Sequence, residues 1–330
     1  MTSNPMIKSA RRALSEVLKV QAHESLLTIS DREKQPIGEV FLEAAKSLGM
    51  QTDLYMLPEE LRPLRDIPSN LLERLAGINV AITTLASLPA ETSFRVALIG
   101  QLIKLGVRMG HSPGITEDML LHGPMNIDYP PMVKRAQRLM QLFEEAASVH
   151  ITAPRGTDIT MQIQDRSWQT DVVYSSDGIA NLPCGEIWCA PVENGANGTL
   201  VCDGSIGDFG MVPAPFKLTV VDGKITAWAC DDKPFGGKVY EALTLDEEAG
   251  IIGELGIGVN SGARITGNLL EDEKAFETIH IAFGNNETMP GGQNRSQTHR
   301  DFLVRKPDIT ITYKDGSQRQ VLTNGVLQLS

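Results

Sequence analysis

The stretch Ile78-Asn79-Val80-Ala81-Ile82-Thr83-Thr84-Leu85 decides the fold of the first half of the chain. It is an apolar run rich in β-branched residues, which is typical of a strand buried inside a sheet. A helical pattern follows it over residues 93–105 and ends at Gly106. A buried strand followed by a helix is the repeating unit of α/β folds, so this run predicts one strand of a parallel sheet.

The same alternation extends outward from this strand in both directions. Strands are predicted over residues 24–30, 51–57 and 107–109, and helices over residues 6–22, 36–48, 71–75 and 132–147. Alternating strands and helices with short connections form parallel sheets that are covered on both faces. We therefore predict an α/β N-terminal domain over residues 1–150.

The pattern changes after residue 148 into short alternating segments that are broken by Gly, Asn and Asp. The dipeptides Asp222-Gly223 and Asp315-Gly316 each separate two such segments and predict β-hairpins. Helices are expected near residues 246–250 and 271–275. Residues 151–330 are thus predicted to form a β-rich α+β domain.

Composition and charge narrow the classes of function. The chain has 330 residues, 42% of them hydrophobic, and a net charge of -11. A strongly acidic chain disfavours nucleic acids and anionic membranes as partners. Residues 1–15 contain no apolar signal core, and no apolar run approaches the length of a membrane span, so a cytoplasmic protein is expected. The four cysteines lack the spacing of most structural zinc sites and are expected to be buried thiols: Cys184, Cys189, Cys202 and Cys230.

Five side chains of metal-ligand type stand out in the second half. His299 and Asp301 are two positions apart, so in an extended segment they point to the same side and can bind one divalent metal. Glu186, Glu254 and His280 lie beside glycines or in short apolar runs. A carboxylate in apolar surroundings is costly without a partner of opposite charge, and a metal centre is the simplest partner that all of them could share.

The composition of this set points to a reaction. Three carboxylates and two imidazoles suit zinc, manganese, cobalt or iron. Five ligands exceed what one catalytic metal takes while it keeps an open position, whereas two metals that share a bridging carboxylate would use all five. Such a pair lowers the pKa of water and polarises a carbonyl group, which is the chemistry of amide or ester hydrolysis.

Each candidate also has a simpler interpretation when it is taken alone. The glutamates could be exposed strand charges, His280 a core histidine, His299 a loop residue and Asp301 a turn cap. Lys274 is expected to be a solvated charge, although it could neutralise a substrate carboxylate. His111 is expected to be a loop residue near the domain interface.

Several ordered motifs resemble the aminopeptidase T (aminopeptidase S) group of metallopeptidases, through most of residues 150–328. The motifs are Asn181-Leu182-Pro183-x-Gly185-Glu186, Asp203-Gly204, Gly253-Glu254-Leu255-Gly256-Ile257-Gly258-x-Asn260, Glu273-Lys274, Thr278-Ile279-His280-Ile281-Ala282-x-Gly284 and Gly291-Gly292-x-Asn294-x-Ser296-x-x-His299-x-Asp301. The resemblance implies an aminopeptidase that is a homodimer of two-domain chains. It also implies two divalent ions (Zn, Co or Mn) at the five residues above, with Glu254 as the bridge, and a peptide or small-molecule substrate.

Two departures from this family define the alternatives. The family has a tyrosine a few residues after the position of His280, whereas this chain has Asn285-Asn286-Glu287-Thr288-Met289, and it also looks shorter before residue 150. A site reshaped in this way could hydrolyse a non-peptide amide, with Glu287 as a speculative catalytic carboxylate, or could bind a ligand without turnover. The related 2,5-dihydroxypyridine 5,6-dioxygenases use one Fe(II) with a histidine at the position of Glu254. The second alternative is therefore an iron(II) ring-cleaving dioxygenase acting on a hydroxypyridine-like substrate, although Glu186 and Glu254 favour the hydrolytic set.

Overall fold

The computed structural model describes residues 4–173 and 179–328. The chain forms two compact units, one of residues 1–133 and 171–185 and the other of residues 134–170 and 186–330. The boundary near residue 150 stays a prediction. Within the described part of the chain, none of the helices has both the length and the apolar character needed to cross a bilayer.

The first unit contains a five-stranded parallel sheet in the order β2-β1-β3-β4-β8. Its strands are β1 (Ser25–Ser30), β2 (Gln51–Met56), β3 (Val80–Leu85), β4 (Arg108–Pro113) and β8 (Ile179–Asn181). Its helices are α1 (Pro5–Arg12), α2 (Gln35–Ser47), α3 (Ser69–Leu75), α4 (Thr92–Lys104) and α5 (Glu117–Leu121). A π-helical turn (Ala13–Val17) extends α1, and 3-10 turns occupy Glu59–Leu61 and Pro89–Glu91.

Helices cover both faces of this sheet. Successive residues of a strand point to opposite faces, so each strand contributes side chains to both layers of packing. Leu27 and Ile29 of β1 join a buried core with Leu71 of α3 and Phe94 of α4. On the other face, α2 packs against the sheet at Gly38, where an added Cβ would lie 3.0 Å from the hydroxyl of Thr84. The expected α/β arrangement is confirmed. His111 is part of β4, so its expected position in a loop is wrong.

The second unit contains two antiparallel sheets, and α6 (Tyr129–Phe143) spans its first boundary in sequence. The eight-stranded sheet has the order β14-β13-β10-β6-β5-β18-β19-β20. Its strands are β5 (Ala146–Thr152), β6 (Asp158–Gln162), β10 (Ala196–Cys202), β13 (Phe216–Val221), β14 (Lys224–Ala229), β18 (Asp308–Tyr313), β19 (Gln318–Thr323) and β20 (Val326–Leu327). Both predicted hairpins are confirmed as the pairs β13–β14 and β18–β19.

The seven-stranded sheet has the order β12-β11-β17-β16-β15-β9-β7. Its strands are β7 (Gln169–Thr170), β9 (Glu186–Cys189), β11 (Ser205–Ile206), β12 (Gly210–Met211), β15 (Ile252–Gly258), β16 (Thr278–Gly284) and β17 (His299–Arg305). In the part of the chain that the structure describes, the remaining helices are α7 (Lys233–Ala242) and α8 (Leu269–Asp272). The helix expected near residues 246–250 is wrong, because that segment forms turns. All four cysteines are buried thiols that form no disulfide bond, as expected.

Candidate metal centre

Three ligand-type side chains are brought to one face of the seven-stranded sheet by the pairing of β16 with β17. Asp301 lies opposite Ala282 and His299 lies opposite Gly284. Residues directly opposite each other in antiparallel strands point to the same side, and so do residues two positions apart along a strand. His280, Asp301 and His299 therefore share one face.

The other two carboxylates reach the same face from β15 and β9. Glu254 also lies opposite Ala282, from the other neighbouring strand. Glu186 lies opposite Gly258, which is four positions after Glu254 and so points to the same side. The register of four adjacent strands thus gathers all five side chains that the sequence singled out.

Glycines on this face make room for the cluster. Gly256 lies opposite His280, and a Cβ added to Gly256 would lie 1.9 Å from Nε2 of the imidazole. No ordinary van der Waals contact is that short, so the ring can occupy its position only above a glycine. The Gly-Glu-Leu-Gly-Ile-Gly pattern of β15 therefore supplies both a carboxylate of metal-ligand type and the space beside it.

Glu254 lies at the centre of the cluster. Its Oε1 is 3.3 Å from Nε2 of His280, and its Oε2 is 3.1 Å from Nε2 of His299. Nε2 of His280 is also 3.4 Å from Oε2 of Glu186, and Nε2 of His299 is 3.5 Å from Oδ1 of Asp301. The two oxygens of one carboxylate therefore face two different imidazoles.

The ring of His299 is oriented by the turn that precedes it. Its Nδ1 lies 2.7 Å from the carbonyl oxygen of Asn285, so Nδ1–H donates there and Nε2 is directed at the carboxylates of the cluster. Asn294 anchors this segment, since its amide donates to two main-chain carbonyl oxygens and its N–H donates to the side chain of Asn286. These asparagine side chains thus fix the connection between β16 and β17, and with it the start of β17.

Two further residues join the cluster that the sequence analysis did not assign to it. Glu273 forms a group with Glu186 and His280 in which one ligand atom of each lies within 4.8 Å of the others. Lys274 is fully buried and pairs with both glutamates. The expectation that Lys274 is solvated is wrong. The adjacent acid and base, Glu273-Lys274, were a visible signal, but such pairs usually lie at the surface.

Electrostatics within the cluster favour charged forms in spite of burial. Burial lowers the pKa of His280, but the hydrogen bond to Glu254 and the charge of Glu186 raise it to about 9. Burial likewise opposes ionisation of Glu254, yet His280 and His299 lower its pKa below the ordinary value. The imidazoles thus act as counter-cations to a crowded set of carboxylates.

The donor set fits a divalent ion. Glu254, His280 and Asp301 form a second group with ligand atoms within 4.8 Å of one another, and all three are buried. Oxygen and imidazole nitrogen donors at this spacing suit zinc, cobalt or manganese. Since buried carboxylates need positive partners, an ion at these residues would satisfy the cluster.

Glu287 makes its ion pair outside the group of ligand-type residues. Its side chain is 47% exposed and forms an ion pair of 2.9 Å with Arg295, which is itself 78% exposed. The interactions described for this part of the chain do not link Glu287 to the five ligand-type residues. Its catalytic role stays a prediction.

Comparisons with known structures show a shared fold. The 2,5-dihydroxypyridine dioxygenase of Pseudomonas putida KT2440 superposes with a TM-score of 0.76 at 19% identity, over 98% of this chain and 97% of that chain. Wild-type AmpT from Thermus thermophilus gives a TM-score of 0.75 at 17% identity, over 98% and 99%. At these identities the two likenesses establish the fold alone, and they agree with the predicted fold class.

Comparisons of sequence identify the family. Aminopeptidase AmpS of Bacillus subtilis (strain 168) is 25% identical over 206 residues, covering 54% of this chain and 48% of AmpS. Aminopeptidase 2 of Geobacillus stearothermophilus is 26% identical over 199 residues, covering 52% and 46%. The chain spans about half the length of these relatives. The model of the thermophilic metalloprotease family M29 matches residues 131–327, and the chain therefore belongs to the M29 family of metalloproteases.

Proposed function

We propose that this protein is a metal-dependent hydrolase of the aminopeptidase type. The observation that carries the proposal is the position of Glu254, whose two oxygens each face a different histidine at 3.3 and 3.1 Å. A carboxylate in this position is suited to bridge two ions. Membership of a metalloprotease family and the likeness to two aminopeptidases support the same function.

The proposed ligands are Glu186, Glu254, His280, His299 and Asp301, and the proposed cofactor is a pair of divalent ions, zinc, cobalt or manganese. Divalent ions at such residues act as Lewis acids toward a carbonyl group and lower the pKa of water. The chain contributes a preformed cluster. Its ligands come from four paired strands, so their spacing is set by the sheet and not by mobile loops.

The finer features of the proposal come from the resemblance and from the charge of the chain. We propose a peptide or small amide as substrate, a homodimer as the assembly and a cytoplasmic location. The net charge of -11 supports neither nucleic acid nor an anionic membrane as a partner. The mass of the assembly in solution, from light scattering coupled to gel filtration, tests the dimer.

The activity is tested by removing and restoring the metal. The protein is dialysed against a chelator, and zinc, cobalt or manganese is then added back. Hydrolysis of aminoacyl p-nitroanilides should disappear and return. The same substrates with an acetylated amino group should resist hydrolysis, because an aminopeptidase requires a free amino terminus. A rate of hydrolysis that is unchanged after chelator treatment would contradict the proposal.

The iron(II) dioxygenase remains the second candidate, on the likeness of fold to a 2,5-dihydroxypyridine dioxygenase. Oxygen uptake with 2,5-dihydroxypyridine and Fe(II), in the absence of amide hydrolysis, would favour it. Glu186 and Glu254 belong to the set that the resemblance associates with hydrolysis, and both lie in the cluster. The hydrolase is therefore the better-supported function.

A further inference from the structure

Lys274 is a fully buried cation inside the candidate metal centre. Its ammonium contacts Oε1 of Glu186 and lies 2.6 Å from Oε1 of Glu273, and its exposed fraction is 0%. Lysine is almost never fully buried unless an opposite charge meets it. Because Nζ has only hydrogen-bond donors to offer, it occupies oxygen lone pairs that a metal ion would otherwise use.

One of the two groups of ligand atoms is paired with the positive charge of Lys274. One group is Glu186, Glu273 and His280, and Lys274 pairs with both of its carboxylates. The other group contains Glu254 and Asp301, whose ion pairs in the described part of the chain are with histidines. An imidazole becomes a neutral ligand when a metal binds, whereas an ammonium group is not a metal ligand.

The backbone of Lys274 is held firmly in this position. Its N–H donates to the carbonyl oxygen of Glu271 at 3.1 Å, and its own carbonyl oxygen accepts from the N–H of Asn260 at 2.9 Å. The carbonyl group of the next residue, Ala275, packs against Gly258, where an added Cβ would lie 2.0 Å from the carbonyl oxygen. The cation is therefore built into the fold beside β15.

We infer that Lys274 makes the two halves of the metal centre unequal, so that the half containing Asp301 loads first and the half containing Glu186, which pairs with Lys274, loads weakly. Two positive centres that share the same carboxylates repel each other, and the repulsion is strong where water is excluded. A second ion has to compete with an ammonium group whose backbone is held on both sides by hydrogen bonds. This inference rests on the proposed metal binding and specifies its order.

The test is a metal titration of the full-length protein after chelator treatment. Zinc is added in competition with a chromophoric chelator, and bound ions per chain are counted by elemental analysis. The wild-type protein should bind one ion tightly and a second at least about tenfold more weakly. Lys274→Met, which keeps the length of the side chain without its charge, should tighten the second ion by about tenfold or more.

Two variants serve as controls. Lys274→Arg keeps the positive charge and should preserve the unequal loading. Lys238→Met makes the same chemical change on the exposed side of α7 and should leave both affinities unchanged. Because Lys274→Met removes the ammonium group that pairs with Glu186 and Glu273, its fold is checked by circular dichroism in the metal-free and zinc-loaded forms.

The outcomes separate this inference from the proposed function. Two ions bound with equal affinity by the wild-type protein would overturn the inference while leaving the metal-dependent function in place. The inference is also overturned if Lys274→Met folds and keeps the wild-type gap between its two affinities. If the wild-type protein binds no divalent ion, the proposed function falls, and the inference falls with it. Equal affinities in the wild-type protein overturn the inference even if Lys274→Met does not fold.

Discussion

Each compact unit contains a buried cluster of charges, and the two clusters are balanced differently. In the first unit, Arg62 lies 3.1 Å from Asp31 and 2.7 Å from Glu91, and both carboxylates are at most 1% exposed. Main-chain N–H groups complete their hydrogen bonds, from Ala86 to Asp31 and from Leu64 to Glu91. The hydrogen bond with Arg62 lowers the pKa of Glu91, so this cluster is stable as a set of charges.

The cluster of the second unit has an excess of three carboxylates over its one fixed cation, whereas the excess in the first unit is one. Four carboxylates, those of Glu186, Glu254, Glu273 and Asp301, converge there with one lysine and two histidines. The histidines hold their positive charge only because these carboxylates raise their pKa values. The comparison teaches that a satisfied buried ion cluster is structural, whereas one that needs additional positive charge is suited to bind an ion.

Loss of a proposed ligand should produce the largest effect. If it does not, the contrast between the two charged clusters does not hold. Asp301→Asn is expected to reduce metal-dependent hydrolysis and zinc affinity about a hundredfold or more, because a charged donor is removed. The measurement is hydrolysis of an aminoacyl p-nitroanilide beside a zinc titration. Asp222→Asn, the same change in an exposed hairpin turn, is the matched control. Normal zinc affinity in Asp301→Asn would refute the assignment.

Removal of the cation from the first cluster should affect stability and leave metal binding unchanged. Arg62→Met leaves Asp31 and Glu91 buried without their cationic partner, which is expected to cost about 3–5 kcal/mol in the free energy of unfolding. Urea denaturation measures this cost. Arg74→Met breaks an exposed pair with Asp53 and should cost less than about 1 kcal/mol. A change in zinc affinity in Arg62→Met would show that the two clusters are not independent.

The requirement for a glycine beneath His280 can be tested by adding a single methyl group at Gly256. In Gly256→Ala the added Cβ would lie 1.9 Å from Nε2, so the ring must move away from Glu254. We expect zinc affinity to fall about 10- to 100-fold. Gly237→Ala is the control, because an added Cβ there meets nothing within 4 Å. Unchanged affinity in Gly256→Ala would mean that the ring position is not required.

The pH dependence of stability should distinguish the buried, neutral imidazole of His111 from the charged imidazoles of His280 and His299. Burial, with a smaller contribution from Arg95, lowers the pKa of His111 to about 3. The unfolded chain therefore takes up a proton first as the pH falls below about 6.5. The stabilising contribution is complete above that pH and is lost toward pH 3, at about 1.4 kcal/mol per pH unit.

Urea denaturation of the wild-type protein and of His111→Asn, at pH 7 and pH 5, measures this slope. The variant should lose most of the difference between the two pH values, because asparagine does not titrate. His150→Asn, at an imidazole that is 48% exposed, is the matched control. An equal slope in His111→Asn and the wild-type protein would contradict the assignment.

Periodicity predicted most strands correctly, while two helical regions show where it failed. Residues 246–250 look helical, yet Asp246 accepts hydrogen bonds from the N–H of Glu248 and from the hydroxyl of Ser296, so its side chain stabilises a turn. The helix α7 was missed because Pro234 and the pair Gly236-Gly237 suggest a loop. In α7 the proline stands in the first turn, and Gly236 packs against Trp228, where an added Cβ would lie 2.3 Å from the indole ring. Tertiary packing outweighed local propensity at both places.

The sequence by itself determined the alternation of strands and helices, the two hairpins and the identity of five ligand-type side chains. Those features depend on residue type and on short-range spacing, which can be read along the chain. Only the tertiary structure decided that Glu273 joins the cluster, that Gly256 makes room for His280 and that Lys274 is a buried cation. Each of these depends on the register between strands that are distant in sequence, and a shift of one residue would turn every ligand to the opposite face.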